Sequence, residues 1–204
     1  MNRSLTGLEV NPRLRASFLF DRWGFALYLA GSTGASDRTA KRCGLMCGGL
    51  TASQHMARAD LHRVLVLKER FVAAGACAAI PASLLAAIAS RESRCGKILA
   101  EDGIAGNPDA WGIMQLDRRH FVPMGDADGF AHIKQTATLI AYYLNEVNAK
   151  HPQWRDKDVL KGALVAYNSG LSNVKTIARM DIGTTNNDYG SDVIARAKFY
   201  SRYL

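Results

Sequence analysis

The chain has no apolar stretch near the length of about 18 residues that a membrane-crossing helix requires, no run of five Lys or Arg residues, and only five prolines in 204 residues. The first absence excludes a helical membrane anchor within the sequence, so a soluble chain without stable membrane insertion is expected. The second, together with the lack of a basic helix interleaved with aromatics, argues against nucleic acid as a partner. The third excludes a Pro-rich linker or a disordered chain. Metal-ligand spacing is also missing, because Cys43 and Cys47 form a CxxxC with neither a second pair nor neighbouring histidines, which is a poor zinc site. A clean secretory signal is not present either: in "SFLFDRWGFALYLAGSTGAS", Asp21 and Arg22 interrupt the apolar part and the run after them is short.

Hydrophobic residues make up 48% of the chain, enough for a sizeable core in one globular domain. The formal net charge of +8 draws the surface to anionic partners, an attraction that weakens as salt rises. Nucleic acid, anionic lipid and bacterial wall polymers all meet that condition, so charge supplies a shortlist. The four cysteines Cys43, Cys47, Cys77 and Cys95 can pair in three ways or stay reduced, and their number alone does not choose.

Residues 1 to about 50 are rich in Gly, Ser, Thr and Arg with weak periodicity, which predicts an irregular N-terminal arm. The division is an arm or unprocessed leader over 1–30 and a single folded domain over 31–204. A helix is predicted over 51–75, opened by a capping box from Thr51 to Gln54, carrying Leu61, Val64, Leu65 and Val72 on one face and stopped at Gly75. Pro81 suits the first turn of the next helix, about 82–94. Glycine-rich loop with short strands around "WGIMQLD" is predicted next, then helices at about 130–149, 157–169, 171–180 and 187–203. The fold class is predominantly α, with a small irregular β and loop region beside a cleft.

One residue breaks the pattern. Leu85, Ile88, Ala89 and Glu92 occupy i, i+3, i+4 and i+7, so a carboxyl group lies on an apolar stripe. Burial disfavours its charged form; unless a cation pairs with it, Glu92 holds its proton near neutral pH and can serve as a general acid. Two bland readings stand beside this one: an ion pair with Arg91 or Arg94, and a helix that ends at Glu92 and leaves it solvated. Asp109 and Asp117 flank the strand-like run and can face Glu92 across a cleft, although such aspartates more often serve turns. Two carboxyl groups roughly 6.5 to 9.5 Å apart suit a reaction in which one protonates a glycosidic oxygen and the other activates water.

The stretches "TGASDRTAK", "SRES", "GIMQLDRR", "LVAYNSGLSNV" and "ARMDIGTTNNDYGSDVIARAKFY" resemble the goose-type lysozymes over about 170 residues, and part of the signature is similar to that of soluble lytic transglycosylases. The resemblance implies a lysozyme-like fold and an antibacterial muramidase that cleaves the β-1,4 bond between N-acetylmuramic acid and N-acetylglucosamine in peptidoglycan, with inversion. It implies no metal or organic cofactor, and a monomer is expected. By the same resemblance Glu92 is the general acid and Asp117 positions the attacking water. The second family aspartate falls on Gly106 by direct count, which leaves Asp109 as the replacement with Asp102 and Glu101 behind it. Gln115, Tyr167, Asn168 and Tyr189 match substrate-cleft positions. His120 lies one position from a family histidine, with Phe121 the other occupant, and Trp111 either packs on a sugar or supports its loop. Asp37 stands where many members carry a disulfide cysteine, so the usual pair of disulfides is expected to be absent. The location implied is extracellular or lysosomal and phagocytic, with the cytoplasm as the alternative. Two other functions remain open, a lytic transglycosylase and a non-enzymatic cationic wall-binding protein.

Overall fold

The computed structural model describes residues 22–204. The first 21 residues of the expected arm lie outside that range, and the remainder is ordered rather than irregular. Residues 22–29 form helix α1, whose Trp23, Ala26 and Leu27 enter the main core together with Ala30. The i, i+3, i+4, i+7 spacing is there, but two of its four members are alanines, which makes the periodicity weak to read. Helix α2, Asp37–Arg42, is capped by Ser36, whose hydroxyl accepts from the Thr39 amide at 3.2 Å. Asp37 in its first turn and Lys41 and Arg42 in its last complement the helix dipole. The Asp37 carboxylate also accepts from the Gly48 amide at 2.7 Å and ties down the connection to the next helix.

That next segment is two helices, α3 (Leu50–Val66) and α4 (Lys68–Ala78), broken at Leu67. The expected capping box does not form, because Gly49 occupies the N-cap and Thr51 is already helical. The break re-phases the apolar stripe: Val64, Leu67, Phe71 and Ala74 are buried, while Leu65 and Val72 are exposed. Gly75 is interior to α4 instead of its stop. The chain leaves α4 through Ala79 at φ 55° and folds back so closely that a Cβ on Gly75 would lie 2.4 Å from the Ile80 carbonyl oxygen. Helix α5, Ala82–Ser93, starts after Pro81 at the N-cap, one position before the first turn, and lies at 120° to α4. Every residue from Ala82 to Ser90 is buried, so α5 is the central helix, packed against α3 and α4 and most extensively against α8 (Tyr189–Tyr200).

A two-stranded antiparallel hairpin follows, β1 (Ala110–Trp111) and β2 (Leu116–Asp117), with Ala110 opposite Asp117 and Trp111 opposite Leu116. Helices α6 (Phe130–Lys150) and α7 (Asp156–Ser169) pack on each other and complete the core. The helix expected over 171–180 is absent beyond a single 3-10 turn, Leu171–Asn173. Gly170 at φ 82° ends α7, and the Asn173 amide donates to Ser169 Oγ and the Ile182 carbonyl, which holds the following segment as a loop. The mostly helical architecture with one small sheet is the predicted fold class. All four cysteines are free thiols, and only Cys95 is buried.

The Gly75 contact predicts that Gly75→Ala destabilises the protein by about 1–3 kcal/mol through overpacking, measurable by urea unfolding. An unchanged midpoint would show that the α4–α5 corner yields.

Candidate active site

The site begins at the C-terminal turn of α5, where Ser90, Arg91, Glu92, Ser93 and Arg94 run in sequence. Three buried aspartates from elsewhere claim the two arginines. Asp60 on α3, fully buried, accepts from Arg94 Nε at 3.0 Å and Nη2 at 2.9 Å and from Ser90 Oγ at 2.9 Å. Arg91 donates to Asp188 Oδ1 and to Asp192 Oδ2, each at 2.8 Å. Arg196 bonds Asp192 from the same helix at 2.9 Å and Ser90 Oγ at 2.9 Å. Burial alone would raise the Asp192 carboxyl, but Arg196 and Arg91 outweigh it and hold it below the usual range.

Among the described residues Glu92 is therefore left without a cation of its own. The ion-pair reading is not what forms, and neither is the solvated helix end, since Glu92 is largely enclosed. Its Oε1 accepts a hydrogen bond of 2.5 Å from the phenol of Tyr189, the first residue of α8. Burial raises the Glu92 carboxyl from 4.5 to about 7, against smaller lowering contributions from the Tyr189 hydrogen bond and from Arg91. Burial and the adjacent Glu92 charge push the Tyr189 phenol far up, so it remains a donor. The acid opens into a cavity of about 400 Å³ whose lining includes Thr39, Cys43, Asn168, Thr185 and Asn186. A partly buried carboxylic acid that titrates near neutrality in a polar cavity can deliver a proton to a leaving oxygen.

Asn168 and Tyr189 thus share the cavity with Glu92, as two of the predicted substrate residues. The Asn168 amide is partly spent: Oδ1 accepts from the Thr185 amide at 2.8 Å and Nδ2 donates to Thr185 Oγ1 at 3.2 Å. The other named residues sit on or behind the hairpin. Asp117 is gripped by Arg119, with Nη2 to Oδ2 at 2.7 Å and Nε to Oδ1 at 3.0 Å, and His120 Nδ1 lies 3.2 Å from Oδ2. The bonds from Arg119 hold the Asp117 carboxyl well below the usual carboxylate range, so it is ionised at any pH of interest. Asp109 is the strand-end neighbour, 3.6 Å from Arg119 Nη1, and its carbonyl accepts from the Arg118 amide at 2.7 Å. One arginine therefore bridges the two aspartates. Asp102 and Glu101 are exposed, and the Asp102 side chain accepts from the Ile104 amide at 3.0 Å.

Gln115 adopts φ 48°, and its amide donates to the Gly112 carbonyl within its own turn at 2.8 Å. Trp111 supports its loop, donating from Nε1 to the Asp102 carbonyl at 3.0 Å. Tyr167 donates to the Met114 carbonyl at 2.6 Å. Ser93, next to Glu92 and not singled out by the sequence reading, donates to the Ile113 carbonyl at 2.8 Å, which joins the acid's helix to the hairpin turn. Its signal was its adjacency to Glu92. Asp60, Asp188 and Asp192 carried no local signal, because their partners lie far away in sequence. Among the described residues no group of three or more His, Cys, Asp or Glu is placed to hold a metal ion.

A helical core presenting a protonated glutamate to a polar cavity defines an acid-catalyst scaffold of the glycoside hydrolase kind. The lysozyme g family model matches residues 28–203. Lysozyme g of Casuarius casuarius is 39% identical over 172 residues, covering 84% of this chain and 92% of its own length. Lysozyme g of Gallus gallus is 38% identical over 172 residues (84% and 81%), and that of Cyprinus carpio 34% over 169 residues (83% and 91%). The chain belongs to the lysozyme g family, the goose-type lysozymes, and is a glycoside hydrolase of that type.

The raised Glu92 carboxyl links stability to pH with a definite sign. Its folded value lies above its unfolded one, so stability is fully present below pH 4.5 and is lost as pH rises to about 7. The loss approaches roughly 3 kcal/mol at about 1.4 kcal/mol per pH unit. Glu92→Gln removes that loss, so its stability advantage over the parent, followed by thermal unfolding, grows between pH 4.5 and 7 and is flat beyond. An advantage independent of pH would mean that Glu92 titrates normally.

Proposed function

We propose that this chain is a muramidase that hydrolyses the β-1,4 bond between N-acetylmuramic acid and N-acetylglucosamine with inversion. The observation that carries the reading is Glu92 itself, enclosed, bonded by Tyr189 and denied a cation by three aspartates. Glu92 donates its proton to the glycosidic oxygen as the bond to the anomeric carbon breaks. Asp117, ionised at the pH of the reaction, orients the attacking water on the opposite face of the sugar and passes the proton the water loses on to solvent as the new bond to the anomeric carbon forms. Asp109 is the second carboxylate, joined to it through Arg119. Asn168, which lines the Glu92 cavity, retains one amide N–H and one acceptor lone pair for an N-acetyl group. The net charge of +8 concentrates the enzyme on anionic bacterial envelopes and supports an antibacterial role outside the cell or in phagocytic lysosomes, as a monomer without cofactor.

Glu92→Gln removes the proton donor while keeping the shape, so hydrolysis falls about 100-fold or more while binding to wall fragments persists. Undiminished clearing of bacterial suspensions by that variant sinks the assignment. Mass spectrometry of the products separates the neighbouring chemistry: reducing muramic ends support hydrolysis, and anhydromuramic ends identify a transglycosylase. The pH profile is a further check. Activity declines as pH rises through about 7, where Glu92 loses its proton. Tyr189→Phe removes a bond that stabilises the carboxylate, so the declining limb moves to higher pH; a shift to lower pH contradicts the role given to the phenol.

A further inference from the structure

The hairpin that carries Asp117 is turned by only four residues, Gly112–Gln115, and three helices hold that turn. Ser93 on α5 and Tyr167 on α7 donate to the carbonyls of Ile113 and Met114. The third grip comes from α6. His132, fully buried, accepts from the Met114 amide through Nε2 at 3.3 Å. Gly112, at φ 74°, lies against the same nitrogen so tightly that a Cβ there would be 2.3 Å from it. The ring of Trp111 meets the imidazole edge-on, with centroids 5.1 Å apart and an interplanar angle of 82°.

This arrangement fixes the protonation state of the ring. Nε2 can accept from the Met114 N–H only if the ring proton is on Nδ1, whereas an imidazolium would oppose two donors. Groups facing the ring are Trp111, Gly112 and the Met114 amide from the hairpin. Thr136 stands one turn along α6, and Tyr167 on α7 reaches the adjacent Met114 carbonyl. Among the described residues no Asp, Glu, Lys or Arg pairs with the imidazole. Burial accordingly lowers the His132 value to about 4. Among the described residues His132 Nδ1 is buried without a hydrogen-bond partner. Neither ring nitrogen faces an acceptor among these residues, so an imidazolium would leave both of its N–H groups unpaired.

We propose that His132 is a positioning residue for the reaction: as the neutral Nδ1–H tautomer it anchors the Met114 amide and so sets the register of Asp117 relative to Glu92. The proposal rests on the muramidase reading. Because Ser93 and Tyr167 still hold the turn when the imidazole is lost, its removal displaces the hairpin instead of releasing it.

The test uses the full chain and soluble peptidoglycan fragments. His132→Leu removes the acceptor at similar volume, whereas His132→Gln offers Oε1 near the position of Nε2. Since a misplacement of about 1 Å can cost on the order of 100-fold, kcat is expected to fall about tenfold or more in His132→Leu with KM within about twofold. In His132→Gln kcat recovers to within about threefold of the parent. A His132→Leu kcat within about twofold of the parent, or equal losses in both variants, overturns the proposal. Should the variants fail to fold, nitrogen NMR of the parent imidazole still decides: an unprotonated Nε2 and protonated Nδ1 at neutral pH are required, and a protonated Nε2 refutes the assignment. A parent enzyme inactive on peptidoglycan would end the muramidase reading and leave the tautomer result standing, so the two failures are distinguishable.

Discussion

The withdrawal of Arg91 and Arg94 from Glu92 is the constraint on which the rest of the site depends. A glutamate between two arginines on one helical turn would ordinarily be an ion-paired carboxylate. Here Asp60, Asp188 and Asp192 take both guanidinium groups, and Arg196 completes the charge balance around Asp192 and Asp60. Removing one member of such a buried set leaves an uncompensated charge, a loss of about 3–5 kcal/mol in comparable cases. The lattice joins α3, α5 and α8 behind the cavity, so the packing of the central helix and the proton affinity of its acid have one cause.

A second set of contacts relates the acid to the hairpin. Ser93 follows Glu92 directly and bonds the Ile113 carbonyl, while Met114 is held at its carbonyl by Tyr167 and at its amide by His132. The short turn is thus fixed from α5, α6 and α7 at once. Arg119 then sets the two hairpin carboxylates relative to each other. Glu92 and Asp117 stand in opposite electrostatic environments. One is enclosed without a cation and keeps its proton to near neutrality; the other is solvated, doubly bonded by a guanidinium and ionised throughout. That divergence suits one carboxyl to give a proton and the other to hold a nucleophile.

The legible parts of this protein were those set by short-range spacing. The α5 stripe placed Glu92 on a packed face, the last helix was expected over about 187–203 and forms as Tyr189–Tyr200, and "WGIMQLD" announced its short strands. What spacing could not show was geometry decided at a distance. The break at Leu67 sits inside an apolar pattern that continues across it, and Gly75, which reads as a stop, is instead the surface on which Ile80 folds back. The segment over 171–180 has helix-forming residues but is diverted by the Asn173 side chain. The choice between an ion-paired and a protonated Glu92 was open for the same reason, since the aspartates that decide it lie 34 residues before Arg94 and 97 and 101 residues after Arg91. Family resemblance supplied the water-positioning role of Asp117 and the choice of Tyr189; the grip of Arg119 on the first and the bond from the second to Glu92 needed the structure.

Carbon NMR titration of the Glu92 carboxyl, in the parent and in Asp188→Asn, tests the central claim most directly. The account predicts a midpoint at about 7 in the parent that moves down in the variant, because Arg91, still held by Asp192 but no longer neutralised by Asp188, then presents uncompensated positive charge beside Glu92. A parent midpoint near 4.5, or one at about 7 that does not move in the variant, would contradict it.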